Sequence, residues 1–426
     1  MKVEIIFKFF SEEKKTVYKS FFSLGLIQAT NFILPLITIP YIIRVVGTDK
    51  FGVISIVQAL MNYMIIFSEY GFNLSATRDI AIHRDDKHKI SQIFNSVLLI
   101  KMVLLLLTFF ILTVIILVVP QFRAESTIFY LGLGLVLGQV LMPIWFFQGI
   151  EQMKYLIILN LVAKIFFTFL IFIIIKTPSD YIYVILLTAL GNILAGLVGI
   201  GIILKKFKVA IIKPDFQNII FQLKEGWYIF LSNFAIISYN NSNIFILGLF
   251  ADASIVGYYS VAEKVTIAVR QLIGSFMGAS YPHICNLSNK SHRMIKEFFR
   301  TTFIPFALLI FFICISLFIF SDDIIYLLTG KYLKEASLLL KILSFVPMIV
   351  VLDNPPYQIL LAYDAKVGYM RILILASIVN IILNFIFVFH LSAIGTSIAV
   401  ILTETFVTVG LILTLELKYT KYSLLY

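Results

Sequence analysis

Apolar stretches of about 20 residues follow one another along almost the whole chain, separated by short clusters of charge or turn-forming residues. That rhythm leaves few folds open. A helix rising about 1.5 Å per residue needs a run of this length to cross a hydrocarbon core of roughly 30 Å. Lipid offers no partner to a free N–H or C=O, so only helices and closed barrels span it. The short alternating segments of an outer-membrane barrel are missing from the sequence. Composition agrees, with 60% hydrophobic and 13% charged residues among 426 and a mean hydropathy of +0.99. The expected fold is therefore an all-α integral membrane protein.

Breaks at charged clusters give about twelve expected transmembrane helices, near 21–44, 51–75, 93–119, 127–150, 155–176, 181–204, 227–250, 258–281, 301–320, 336–362, 370–390 and 393–415. Span four carries Pro143, and span ten carries Pro347, Pro355 and Pro356, which bend membrane helices without forbidding them. The basic residues alternate between two sides. About 23 Lys and Arg fall on the side of the N-terminal tail, Arg78 to Lys89, Lys154, Lys205 to Lys224, Lys290 to Arg300, Lys366 to Arg371 and the C-terminal tail, against about 6 on the other. Multi-pass insertion with both termini cytoplasmic follows. The same bias accounts for the net charge of +11, so no nucleic-acid partner is expected. The first span lacks a small-residue cleavage site and reads as an uncleaved helix.

One stretch contradicts the apolar background. Phe230 to Lys264 lies at membrane depth, yet it contains Ser232, Asn233, Ser238, Tyr239, Asn240, Asn241, Ser242 and Asn243, then Glu263 and Lys264. An unpartnered polar group in hydrocarbon costs several kcal/mol, so these side chains are expected to face a wet cavity or another helix. Polar stripes at helical spacing recur in spans one (Gln28, Asn31, Thr38), two (Ser55, Gln58, Asn62, Glu69), eleven (Ser377, Asn380, Asn384) and twelve (Ser397, Glu404, Thr408). A hydrated space and helix-to-helix hydrogen bonding explain such stripes equally well.

Charges within the spans discriminate better. Lys164, Lys264 and Arg270 lie deep and are the stronger candidates to hold an anion, whereas Lys101 and Arg44, near span ends, are expected to snorkel. Glu263 and Arg270, seven residues apart, share a helix face. Gly132, Gly134, Gly138, Gly274 and Gly278 sit inside apolar spans and read as close helix packing, not as a nucleotide loop. Two cysteines and five scattered histidines suggest neither a disulfide framework nor a metal site, and no cofactor is expected.

The organisation reads as two halves: residues 1–204 as a six-helix lobe, 205–226 as a cytoplasmic linker, and 227–426 as a second six-helix lobe around a central cavity. Phe216, Ile219, Ile220 and Leu223 recur at helical spacing in the linker, so it should form an amphipathic helix lying in the interface. A weak internal repeat supports the division. Asn31 to Ser55 and Asn233 to Ser260 both open on Asn-Phe and close on an aliphatic or aromatic residue, Gly, two residues and Ser. Each copy occupies the first hairpin of a six-span block, which fits parallel repeats about an axis along the membrane normal.

Five blocks carry a family resemblance: Gln28 to Gly52, Glu69 to Ala81, Trp145 to Tyr155, Phe230 to Phe250 and Val256 to Lys264. They resemble the conserved blocks of bacterial O-antigen repeat-unit flippases of the multidrug, oligosaccharidyl-lipid and polysaccharide exporter superfamily. The resemblance covers nearly the whole chain and weakens after Tyr281. It implies two six-helix bundles that open a cavity alternately to either side of the bacterial inner membrane. It also implies a cargo, an oligosaccharide on undecaprenyl pyrophosphate, carried from the cytoplasmic to the periplasmic leaflet without covalent chemistry. Polysaccharide polymerase and chain-length machinery are implied partners.

That cargo needs a cationic wall for its pyrophosphate and amide or aromatic groups for its sugars. Arg270, Lys264 and Lys164 are then the expected anion contacts, and Arg44 and Arg78 gate or entrance cations. Asn240, Asn241, Tyr239 and Gln148 are the sugar or cavity contacts, while Glu69, Glu263 and Glu404 pair with the cations or bind a coupling ion. A multidrug or cation antiporter of the same superfamily is the alternative, with a more apolar and acidic cavity. A membrane-embedded polymerase or glycosyltransferase fits less well, because the outer loops are short.

Overall fold

The computed structural model describes residues 12–288, 292–363 and 365–418. The side chains of Gln28, Asn31 and Asn240 lie outside the described residues. All regular structure among those residues is helical. In chain order the helices are α1 Glu12–Glu69, α2 Phe72–Ile82, α3 Lys87–Val118, α4 Pro120–Ala124, α5 Ser126–Leu141, α6 Ile144–Gly149, α7 Met153–Ile174 and α8 Tyr181–Lys206. They continue as α9 Phe216–Phe250, α10 Ala253–Ser288, α11 His292–Phe298, α12 Ile304–Ile319, α13 Ser321–Thr329, α14 Lys334–Leu343, α15 Phe345–Ala362 and α16 Lys366–Leu413.

The expected spans map onto these helices, two of them in pairs. Helix α1 breaks at Gly47, whose φ of 81° suits a residue without Cβ, so its two arms are spans one and two. Helix α16 breaks at Ser392 into spans eleven and twelve. Local chemistry sets other boundaries: Asp86 caps α3 by accepting from the N–H groups of His88 and Lys89 at 3.0 Å, and Gly330 at φ 75° ends α13. Among the described residues, eight helical stretches are long and apolar enough to cross a membrane. Helices α9 and α10, with 35 and 36 residues, are long enough to cross a membrane and carry the polar run of residues 232–243 and the pair Glu263 and Lys264.

Packing divides the molecule into two lobes that share an apolar core at one end. There, Ile42, Val46 and Phe51 of α1 join Ile244, Leu247, Val256 and Tyr259 of α9 and α10 in one apolar cluster. Away from it the cores separate. Phe72, Phe94, Trp145 and Phe147 pack within the first half, and Ile273, Phe303, Val351 and Val407 within the second.

The repeat glycines make the shared end possible. A Cβ on Gly52 would lie 1.9 Å from the Ala253 carbonyl oxygen, and one on Gly257 would lie 2.0 Å from that of Thr48. The contact is reciprocal, each glycine abutting the residue four before the other. Backbone therefore touches backbone across the lobes. Arg44 adds a hydrogen bond from its Nη2 to the Leu327 carbonyl at the same end.

A second seam runs the length of α9. Asn62 donates to Asn241 Oδ1 at 2.9 Å, Tyr70 stacks on Phe230 at 5.2 Å, and Gln222 donates to Asp79 Oδ2 at 2.8 Å. Residues 216–226 thus form the first turns of α9, continuous with span seven. The expected separate interfacial helix is absent from the described structure, because Gln222 is buried against α2 and holds this segment upright.

Candidate functional site

Two adjoining chambers of about 440 and 530 Å³ occupy the second lobe. Tyr239, Arg270, Gly274 and Glu404 line both, so the two form one branched space among α9, α10, α15 and α16. Arg270 Nη2 lies 2.9 Å from Glu404 Oε1, and the Tyr239 hydroxyl donates to Glu404 Oε2 at 2.5 Å. The first chamber adds Asn241 and Glu263, and the second adds Asp353, Tyr357 and Tyr369. Gly274 faces open space, since a Cβ there would meet nothing within 4 Å.

A third chamber of about 580 Å³ lies in the first lobe, lined by α1, α7 and α8. Lys164 enters it from α7 with Gln58, Asn160, Thr168 and Asn192 around it. Lys264, from α10 of the second lobe, enters the same space. The chamber accordingly sits at the boundary between lobes. Because Glu263 and Lys264 are consecutive, α10 presents an acid to one chamber and a cation to the other.

The structure divides the sequence-derived candidates. Lys164 and Lys264 line the same chamber, while Arg270 joins Glu404, Tyr239, Glu263 and Asn241 on the other side of α10. Arg44 is exposed at the shared end, and Arg78 pairs with Glu225 at 3.3 Å at the opposite end. Gln148 faces α2, with its Oε1 3.4 Å from the Thr77 hydroxyl, and lines none of the three chambers. Glu69 lies 2.7 Å from Lys101, which is 0% exposed. The snorkelling expected of Lys101 does not occur. A carboxylate and the Gln139 carbonyl, 3.3 Å away, satisfy its ammonium inside the lobe.

The stripe of span eleven makes helix contacts as well as reaching the first chamber, which Asn380 lines. Asn384 donates to Asn243 Oδ1 at 2.7 Å, and Ser242 donates to Asn380 Oδ1 at 2.6 Å, all of them buried. Asp353, which the sequence marks as an acid within a span but gives no contact role, lines the second chamber. Its signal is an ionisable group inside an apolar span, beside Pro355 and Pro356.

The fold is thus a helical membrane protein of two lobes hollowed into polar chambers, the architecture of a transporter. Residues 17–288 match the family described as polysaccharide biosynthesis protein, and the chain belongs to that family. It is 29% identical over 405 residues to a protein of Escherichia coli named "Putative O-antigen transporter", covering 93% of this chain and 95% of that one. A protein of the same name from Shigella dysenteriae is 26% identical, covering 91% and 97%. A "Probable low-salt glycan biosynthesis flippase" of Haloferax volcanii is 21% identical, covering 86% and 76%. Among solved structures, a multidrug resistance MATE family transporter of the MOP superfamily, in its inward-facing conformation, shares the fold. Its TM-score is 0.65 at 13% identity, over 91% of this chain and 94% of that one.

Proposed function

We propose that this protein is a flippase that carries an oligosaccharide on undecaprenyl pyrophosphate from the cytoplasmic to the periplasmic leaflet of the bacterial inner membrane. The prenyl tail can remain in lipid, whereas pyrophosphate and sugar hydroxyls cannot cross about 30 Å of hydrocarbon unaided. The observation that carries the reading is the convergence of Lys164 and Lys264, from different lobes, on one chamber. Two ammonium groups there match a pyrophosphate, and because they ride on different lobes, rocking can assemble and then part them. Arg270 is assigned to balancing Glu404 instead of to the pyrophosphate.

In this reading residues 1–204 and 227–426 move as the two lobes and 205–226 joins them. The end bearing Arg78 and Lys205 faces the cytoplasm by its positive charge, and the Gly52–Gly257 end faces the periplasm. The conformation is then closed outside and open inside. Replacing Lys164 and Lys264 singly with Ala should lower surface glycan display at matched protein level by about 10-fold or more, the loss expected for one charge-assisted bond. Undiminished display in both variants would exclude the assignment.

A second reading, a multidrug or cation antiporter, is favoured by one observation: Glu263, Asp353 and Glu404 put three carboxyl groups in the second-lobe chambers. Protection of growth against cationic dyes, lost on replacing Glu404 with Gln, would support it over the flippase.

A further inference from the structure

We propose that Gln58, Asn160 and Asn192 read the sugar bonded directly to the pyrophosphate, because these three carboxamides line the chamber that Lys164 and Lys264 enter. The inference deepens the flippase reading and rests on it. The carboxamides come from α1, α7 and α8, so they stand around the space instead of along one stripe. On α7, Asn160, Lys164 and Thr168 follow at intervals of four, which puts amide, ammonium and hydroxyl on one face. Asn160 lies one turn, about 6 Å along the axis, from that lysine. Packing fixes the base of Asn192. A Cβ on Gly138 would lie 2.5 Å from the Asn192 Cβ, so α5 and α8 touch there and the amide end alone is left to turn.

Uncommitted hydrogen-bonding capacity sets these amides apart. Among the described residues, none bonds to the side chains of Gln58, Asn160 or Asn192. The carboxamides of the first second-lobe chamber are already engaged within the protein, Asn241 with Asn62, Asn243 with Asn384, and Asn380 with Ser242. A carboxamide without a partner offers two donors and an acceptor to sugar hydroxyls or to an acetamido group. Among the described residues lining the chamber none is acidic, so an anion meets no like charge beside the two lysines. Ile39, Phe51, Phe167 and Val184 supply apolar surface for the C–H faces of a ring. Covalent linkage does the rest: a pyrophosphate held at Lys164 carries its first sugar into reach of the amides. At about 580 Å³ the chamber has the size of a single small-ligand site, so sugars farther out lie beyond it.

The test uses the full chain in lipid nanodiscs and three probes: bare prenyl pyrophosphate, and the same lipid carrying one hexose or one N-acetylhexosamine. At least one single-sugar probe should bind about tenfold or more tightly than the bare lipid, the gain expected from two or more hydrogen bonds. In the double variant Asn160→Ala with Asn192→Ala, that gain should fall below about threefold while binding of the bare lipid is unchanged. Lys164→Ala should instead weaken all three probes by a similar factor. Both asparagines are exposed, so their truncation should spare the fold. Gln58→Met, read by a fall in the same gain, serves if the double variant does not fold. No gain from either sugar in the wild type, or a full gain in the folded variant, would overturn sugar reading at these amides and leave the flippase reading standing. Binding of none of the three probes would overturn the flippase reading and this inference with it.

Discussion

Substituting Gly257 with Ala should force the sealed end of the molecule apart. The added Cβ would sit 2.0 Å from the Thr48 carbonyl oxygen, whereas ordinary contact begins at 3.4 Å, so the backbones must separate by the difference, about 1.4 Å. No side chain can rotate away, because the obstructing atoms are main chain. Overpacking of this kind costs about 1–3 kcal/mol, which is roughly a 5- to 150-fold shift toward conformations in which the contact is open. Intrinsic preference runs the other way, since Ala in a helix is favoured over Gly by about 0.5–1 kcal/mol. Any loss of closure therefore reports the contact itself.

Spin labels at the exposed positions Asp49 and Asp252, in a background with Cys285 and Cys314 replaced, would read the separation. Gly52→Ala should act alike, and the double variant should add little, because the first Cβ already parts the surfaces. Gly201→Ala, where a Cβ meets nothing within 4 Å, is the control. Distance distributions and transport that match the control in both single variants would refute the idea that this end opens through the glycine contact.

Other outcomes follow from the same geometry. Glu69→Gln should lower stability by about 3–5 kcal/mol, because it strands the Lys101 ammonium in a dry interior, and Glu69→Gln with Lys101→Met should recover most of it; a wild-type thermal midpoint in detergent for the single variant would contradict this. Gly274→Leu should keep the fold and abolish glycan export, since its side chain projects into both branches of the second-lobe chamber; export at the wild-type level would place the cargo elsewhere. The Lys89 and His88 N–H groups hold the Asp86 carboxyl below the usual carboxylate range. Its contribution is present above the unfolded value of about 4 and fades as pH falls through the lower folded value, so acid should destabilise the wild type more than Asp86→Ala, and only below about pH 4. Parallel melting curves for the two proteins across that range would count against the cap.

Much of the architecture was legible because hydrocarbon imposes a simple length rule, and eight helical stretches among the described residues obey it. The weak repeat was legible too, although its meaning was not: sequence aligned Gly52 with Gly257, and only the structure shows that they touch. Charges were harder to place. Lys164, Lys264 and Arg270 looked alike as deep cations, but neighbours distant in sequence separate them, Glu404 claiming Arg270 and α1 enclosing the lysines. Lys101 was misread for the same reason, its partner Glu69 lying 32 positions earlier. Periodicity also could not tell a wet stripe from a dry one, and Asn384 belongs to the dry kind.

The seam along α9 constrains how anything could get in. Asn62 to Asn241, Tyr70 to Phe230 and Asp79 to Gln222 stitch one flank from middle to rim. A hinge laid down one side turns two rigid bodies into a book with its spine on that flank. A substrate that keeps its hydrocarbon chain in the bilayer must then slide in from the fore-edge, and the pages can part only there.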